Sequence, residues 1–157
     1  MVSSTSFPHQ RTRMGLTMPL WERAQSRDGD LALSGCGVIL APGTVVDPDL
    51  LYVSGRRREI LGSYWIEGAP DLLGEVISSR SIRIDLILKR DLYARCGVPY
   101  YWIAHPLEQW VRAYELGKDG QYELVAEGRG QGTFSAPPFP DLIIQLTDLW
   151  DDPFDDE

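Results

Sequence analysis

The chain has 157 residues, 43% of them hydrophobic and 24% charged, which fits one soluble domain with its own core. Its two cysteines form no CxxC motif and it has only two histidines, so the composition argues against a zinc site and fits free thiols in a reducing compartment. No apolar run reaches the roughly 18 residues of a membrane helix, and the first residues lack the apolar segment of a secretory signal. We therefore expect a cytoplasmic protein with no membrane partner.

The net charge of −8 is concentrated at the end of the chain. From Asp141 onward there are seven acidic residues and no basic one, and the remainder holds 15 basic and 16 acidic residues. We predict a single domain over residues 1–150 and an acidic tail over 151–157. Thirteen of the 15 basic residues are arginines, the residue type that suits bidentate contacts with phosphate. Candidate contacts with a DNA backbone are Arg56, Arg57, Arg58, Arg80 and Arg83; a purely solvated surface is the alternative.

Hydrophobic patterning predicts a mixed α/β chain. Residues 11–27 are compatible with a helix, although Gly15 and Pro19 weaken it. Strands are then predicted over 31–40 and 45–53, on either side of a turn at Ala41-Pro42-Gly43.

The middle of the chain has the pattern of a βαβ unit. Residues 71–77 are mostly apolar, as in a strand buried on both faces, and residues 83–96 have helical periodicity and stop before Gly97. Residues 98–104 are strongly strand-forming, so the unit predicts two parallel strands joined by a right-handed crossover. The remaining predicted elements are a hairpin of strands 110–116 and 121–126, and a closing segment 141–150 that ends in a short helix or turn.

Helix 83–96 carries charge on its apolar side. Asp85 and Lys89, four residues apart, fall within an apolar fan. The fan consists of Leu86, Leu88, Leu92, Tyr93 and Cys96. Because charged side chains are rarely buried unless they are paired or used, the pattern predicts that this helix presents charge to a cleft. A purely structural Asp85–Lys89 ion pair is the alternative.

Two acidic residues on separate strands are the best candidates for a metal site. Glu75 interrupts the apolar run LLGEVI and should point inward, and Asp49 on another strand can be brought face to face with it. Two carboxylates with Lys89 suit Mg²⁺-dependent hydrolysis of a phosphodiester, in which the carboxylates hold the ion and the lysine steadies the attacking water or the developing charge. The alternatives are a turn residue at Asp49 and a buried acid satisfied by backbone N–H groups at Glu75.

Three segments carry a resemblance to a known family. GAPDLLGEVIS at 68–78, the helix with Asp85, Lys89 and Tyr93, and GVPYYWI at 97–103 together resemble the Uma-type family of restriction-endonuclease-like proteins. This family belongs to the PD-(D/E)XK nuclease superfamily, and VDPDLLYV at 46–53 is similar to the strand with that superfamily's first aspartate. The resemblance covers roughly residues 8–150 and implies a restriction-endonuclease-like mixed β-sheet flanked by helices.

The resemblance also implies roles for individual residues. Asp49 and Glu75 would be catalytic carboxylates that bind Mg²⁺, with Mn²⁺ as a possible substitute. The superfamily's catalytic lysine would fall at Ile77, and here it would be Lys89 on the helix instead. Supporting residues would be Asp85, which would orient the lysine, Tyr93 behind it, and His9 in a segment similar to the family's His-bearing segment.

We therefore expect a Mg²⁺-dependent DNA endonuclease, a hydrolase that acts as a homodimer and leaves a 5′-phosphate. The alternative is a catalytically silent family member that acts as a DNA-binding or protein-interaction module. The acidic net charge favours this alternative, as does a start near the His-bearing segment, without the helix and acidic hairpin that usually precede it in the family. A plain oligomeric α/β domain with no nucleic-acid partner is a third possibility.

Overall fold

The computed structural model describes residues 6–78 and 82–150, and for residues 82–85 it describes the backbone alone. The predicted tail 151–157 and Arg80 lie outside the described residues. The elements in chain order are α1 (Phe7–Gln25), β1 (Leu31–Leu33), β2 (Val38–Ala41), β3 (Thr44–Val46), β4 (Leu50–Val53), a 3-10 helix (Gly55–Ile60), β5 (Ile66–Glu67), β6 (Leu72–Val76), α2 (Ile82–Arg95), β7 (Tyr100–His105), β8 (Trp110–Leu116), β9 (Tyr122–Arg129), β10 (Thr133–Ala136), β11 (Phe139–Gln145) and α3 (Thr147–Trp150).

A mixed six-stranded sheet forms the centre of the molecule, in the order β1-β4-β6-β7-β8-β9. The predicted βαβ unit is confirmed: β6 and β7 pair in parallel through α2, while the other neighbours in this sheet pair antiparallel. A hairpin of β10 and β11 and a small sheet in the order β3-β2-β5 accompany it.

Two apolar cores cover the two faces of the central sheet. One face packs against α1 and α3, with Leu16, Leu20 and Trp102 among its buried side chains. The opposite face packs against α2 and the small sheet, with Tyr93 and Tyr101 in its interior. This is the mixed α/β, helix-flanked sheet that the sequence predicts.

Helix α1 is stabilised by a cap at its start and by contact with α3 despite its poor sequence. The Ser6 side chain caps its start, accepting a hydrogen bond from the backbone N–H of His9 at 3.4 Å. The hydroxyl of Thr12 donates to the carbonyl of Leu149 at 2.8 Å, which ties α1 to α3. A Cβ at Gly15 would lie 2.8 Å from a methyl of Leu149. Gly15 therefore permits the close helix contact, which outweighs its low helix propensity.

Two predicted strands are each split between two sheets. The segment 31–40 divides into β1 and β2 at Gly35, whose φ of +67° turns the chain. The segment 45–53 divides into β3 and β4 at Asp47-Pro48-Asp49. Predicting one strand in each place was wrong, because apolar alternation continues across a bend and does not show which sheet each half joins.

The predicted orientation of α2 was correct for part of the helix only. Tyr93 is buried, and Leu86, Leu92 and Cys96 pack partly against the core. Leu88, however, is 61% exposed, so its place in the inward fan was wrong. The true inner face is centred on positions 86, 89 and 93, which turns Leu88 outward.

None of the helices in the described residues combines the length and the hydropathy that spanning a membrane requires.

Candidate active site

The pairing of β4 with β6 places the two candidate carboxylates side by side. Leu50 lies opposite Gly74 in this antiparallel pair, so Asp49, immediately before β4, continues the register opposite Glu75. Opposite residues of such a pair have their side chains on the same face. That face is the one covered by α2, which brings Lys89 and Tyr93 over the same point.

Glu75 is a buried acid with two side-chain donors. Tyr93 donates a hydrogen bond to Oε1 at 2.5 Å, and Nζ of Lys89 lies 3.2 Å from Oε2. Burial raises the pKa of Glu75 to about 7, and the charge of Asp49 adds to this, although Lys89 and the Tyr93 hydroxyl act in the lowering direction. The alternative of an acid held by backbone N–H groups is not what the structure shows, since both carboxylate oxygens face side chains.

Asp49 is held in its ionised form. Burial by itself would raise its pKa, but His9 and the backbone N–H of Val76 together lower it below the usual value for an aspartate. The Val76 N–H donates to Oδ2 at 2.8 Å, and Nε2 of His9 lies 3.5 Å from the same oxygen. The pKa values of Asp49 and Glu75 are thus shifted in opposite directions, a pattern typical of functional sites.

A cavity of about 170 Å³ opens at this point. It is lined by the candidate residues Asp49, Glu75, Lys89 and His9, and also by Ile77, which occupies the position where the superfamily's lysine would stand. Lys89 is the charged group best placed to reach from the carboxylates into open space, because 34% of its side chain is exposed. The structure thus collects two carboxylates, a cation and an imidazole in one concave site.

Other predicted residues are not brought to this cavity. Arg56, Arg57 and Arg58 lie in the 3-10 helix that follows the carboxyl end of β4, whereas Asp49 precedes its amino end. At about 3.3 Å per residue, the five steps from Asp49 to Ser54, the residue before the 3-10 helix, span roughly 16 Å. The side chains of Asp85 and Arg83 lie outside the described residues, as does Arg80, so their predicted roles stay predictions.

Three residues at the cavity were not predicted to have a role there. Asp47 and Ser78 line it, and so does Tyr101, whose hydroxyl is buried with no hydrogen-bond partner among the residues that the structure describes. Asp47 could have been found from its position two residues before Asp49, at the bend that precedes β4. Nothing in a strand of consecutive aromatic residues shows which of their hydroxyls will lie at the cavity.

The donor set fits a divalent cation that prefers oxygen ligands and keeps water. Among the described residues, no three His, Cys, Asp or Glu side chains are grouped closely enough to hold a metal ion. Mg²⁺ commonly binds through one or two carboxylates and completes its coordination with water and substrate phosphate. Asp49 and Glu75 provide that number of carboxylates beside an open cavity, so the residues present fit this ion better than zinc.

Two comparisons with known proteins, one of sequence and one of structure, both find similarity to proteins described as nucleases. Residues 1–147 match the sequence model of the family described as "Uma2: Putative restriction endonuclease". The crystal structure of "a putative nuclease belonging to DUF820" from Anabaena variabilis superposes on this fold with a TM-score of 0.72 and 16% sequence identity, covering 92% of this chain and 81% of that chain. At that identity the likeness establishes the shared fold. Among curated proteins, none matches the chain in sequence.

Proposed function

Since the chain belongs to the Uma2 family of restriction-endonuclease-like proteins, we propose that it is a Mg²⁺-dependent endonuclease that hydrolyses phosphodiester bonds of DNA in the cytoplasm. The observation that supports this most strongly is the register of β4 and β6, which sets Asp49 beside Glu75 under Lys89 of α2. Paired carboxylates beside a cation, in a cavity on a nuclease-like fold, match the needs of phosphodiester hydrolysis.

The carboxylates would bind the metal in this proposal. Asp49 would bind the metal without first losing a proton, since its pKa is lowered. Glu75, whose pKa is raised, would bind as a second anion after its proton has left. When bound, Mg²⁺ would offset the negative charge of the scissile phosphate and acidify a nearby water.

The other side chains would orient these groups. Tyr93 fixes Oε1 of Glu75 by its hydrogen bond, and His9 lies against the Asp49 oxygen that also accepts the Val76 N–H. Lys89 contacts the other oxygen of Glu75 and is partly exposed to the cavity. From there its ammonium group would steady the attacking water or the negative charge that develops on the phosphate.

The test is Mg²⁺- or Mn²⁺-dependent nicking of a supercoiled plasmid. We expect Glu75→Gln and Lys89→Ala to lose at least a hundredfold in nicking rate while retaining the wild-type circular dichroism spectrum. Glu123→Gln and Lys118→Ala are matched controls, because both residues are exposed and far from the cavity lining. They should cleave at the wild-type rate.

Absence of nicking by the wild-type protein in both metals, together with no heat of Mg²⁺ binding, would reject the enzyme and favour the silent module. The net charge of −8 is the observation on the side of that alternative, since it opposes binding to a polyanion. Cleavage that survives Glu75→Gln would equally reject the assigned site.

A homodimer is the assembly we propose, because one such site cuts a single strand and two related sites could address both strands. Light scattering of the purified protein should give twice the mass of the 17.7 kDa chain. A monomer at micromolar concentration would contradict this part of the proposal.

The two cysteines, Cys36 and Cys96, are unpaired, in keeping with the proposed reducing compartment.

A further inference from the structure

A row of residues crosses the central sheet from the candidate active site. The strand registers pair Glu75 with Ile103, and Ile103 with Arg112. All three lie on the face covered by α2, because residues paired across neighbouring strands share a face. At roughly 4.8 Å between strands, Arg112 is about 10 Å from Glu75 along this row. A cationic side chain is therefore built into the same surface as the carboxylates, two strands away.

A groove between α2 and β8 continues from the cavity along this row. The α2–β8 groove shares Leu86, Tyr101 and Ile103 with the cavity. Its other lining residues include two arginines and one acidic residue: Ile87, Arg90, Asp91, Arg112, Tyr114 and Gln121. The two spaces therefore meet at shared residues. Arg90 reaches across from α2, with its guanidinium 4.7 Å from the centre of the Tyr114 ring and a hydrogen bond of 3.3 Å to the carbonyl of Tyr122.

Both arginines are held in place and keep unused donors. The guanidinium of Arg112 lies 4.2 Å from the centre of the Trp110 ring, and its Nε donates to Glu127 at 2.6 Å. Arg112 also has a side-chain hydrogen bond with Tyr114. A guanidinium group has five N–H donors, so these bonds leave donors on each arginine for a ligand. Glu127 is shared, because Nε of Arg129 lies 2.8 Å from its other oxygen. The carboxylate of Glu127 thus faces two arginines, and the positive charge of this cluster exceeds the negative.

The junction of groove and cavity has an unsatisfied polar atom. Tyr101 lines both spaces and is 1% exposed, and within the described part of the chain its hydroxyl has no hydrogen-bond partner. A buried hydroxyl without a partner is unfavourable, and most buried polar groups in folded proteins are hydrogen-bonded. This observation is independent of the arginines and indicates that a polar ligand enters here.

We propose that the α2–β8 groove binds the DNA backbone adjacent to the bond that is cut, with Arg90 and Arg112 each contacting a phosphate. The proposal rests on the proposed function and extends it to the path of the substrate. Successive phosphates of a strand advance about 3.4 Å along a duplex, so the 10 Å row corresponds to a few nucleotides. Arg56, Arg57 and Arg58, at the other end of β4, lie outside this path.

The experiment measures how binding of a labelled DNA duplex depends on salt, by fluorescence anisotropy in EDTA so that no cleavage occurs. Each lost phosphate contact reduces the slope of log K against log salt by about 0.9, so R90Q/R112Q should reduce it by about 2 and weaken binding at least tenfold. The charge-preserving R90K/R112K should keep a slope within one unit of wild type. R27Q/K118Q removes two exposed basic side chains that line neither space, so this matched control should leave the slope unchanged.

The groove assignment is overturned if R90Q/R112Q binds with the wild-type slope, if the control R27Q/K118Q loses as much slope as R90Q/R112Q, or if the wild-type protein does not bind the duplex at all. Plasmid nicking by the wild-type protein, measured in parallel, separates the two proposals. Nicking with an unchanged R90Q/R112Q slope rejects the groove alone. A reduced slope without nicking supports the groove and rejects the endonuclease. Thermal melts establish that each variant is folded, and R90K/R112K gives a second readout should the glutamine variant unfold.

Discussion

Tyr93 donates a 2.5 Å hydrogen bond to Glu75 from a position where its own ring is fully buried. The donor comes from α2 and the acceptor from β6, so this bond fixes the helix to the strand at the candidate active site. It also stabilises the ionised form of Glu75, in opposition to burial.

Tyr93→Phe removes this donor with little change in volume. We expect the pKa of Glu75 to rise above about 7, since one of the groups that lowers it is lost. The acidic limb of the pH–rate profile for nicking should move to higher pH, and unfolding in urea should show a loss of about 1–3 kcal/mol. Tyr64→Phe is the control, because Tyr64 is 88% exposed. An unchanged acidic limb would show that the hydrogen bond does not tune Glu75.

The raised pKa of Glu75 predicts how the stability of the metal-free protein depends on pH. Its folded-state value of about 7 lies above the usual 4.5, so the folded protein binds the proton more tightly than the unfolded chain. The stabilisation from this proton is complete below about pH 4.5 and is lost as pH rises through 7. Each unit of pKa difference corresponds to about 1.4 kcal/mol. Urea unfolding between pH 5 and 8 should therefore show a decline in wild type that is absent in Glu75→Gln.

The same proton must leave when a cation binds to the Glu75 carboxylate. Mg²⁺ affinity is then expected to increase as pH rises from 6 to 8, with proton release at the lower pH. Calorimetry in buffers of different ionisation enthalpy measures both quantities. Equal affinity and no proton release at pH 6 would show that Glu75 does not bind the ion.

His9→Ala tests the orientation of Asp49. Three groups lower the pKa of Asp49, namely His9, the Val76 backbone and Lys89, and loss of the imidazole removes the first, so that pKa should rise towards its usual value. Residues that orient metal ligands typically contribute 10- to 100-fold to affinity, and we expect a loss of that order in Mg²⁺ binding. His105→Ala is the comparison, since His105 is buried but does not line the cavity. Equal losses in the two variants would indicate a general effect on folding.

Gly74→Ala tests the strand pair that sets the carboxylates side by side. The added Cβ would lie 2.5 Å from Cγ of Leu50, too close without movement of β4 or β6. We expect a loss of about 1–3 kcal/mol in the free energy of unfolding, with weaker Mg²⁺ binding. Leu50→Ala provides the missing space, so the double variant should be destabilised by less than the sum of the single variants. If the two losses in the free energy of unfolding simply add, the clash of the new Cβ is relieved by movement of atoms other than the Leu50 side chain.

Much of this architecture could be predicted from local pattern. The buried strand around Glu75, the helix ending before Gly97 and the following strand are each encoded by residues close together in the chain, and the parallel pairing follows from chain connectivity. Asp49, Glu75, Lys89, Tyr93 and His9 were singled out from the sequence and the family resemblance, and the structure gathers them at one cavity.

What could not be predicted depends on long-range contacts. The bends at Gly35 and Asp47-Pro48 send the halves of an apolar segment to different sheets, which a one-dimensional pattern does not reveal. The clustering of Arg56 to Arg58 suggested a phosphate contact, whereas Arg112 was inconspicuous because only strand register aligns it with Glu75.

Through the hydrogen bond from Thr12 to the carbonyl of Leu149, helix α3 influences the candidate active site. Helix α1 presents His9 to Asp49, and α3 holds α1 in place from the far end of the chain. A substitution in α3, which is distant from the candidate carboxylates, would therefore act by displacing the His9 imidazole from Asp49. Because Leu149 and Trp150 also belong to the buried core, α3 contributes to the packing of the fold and to the position of His9 together.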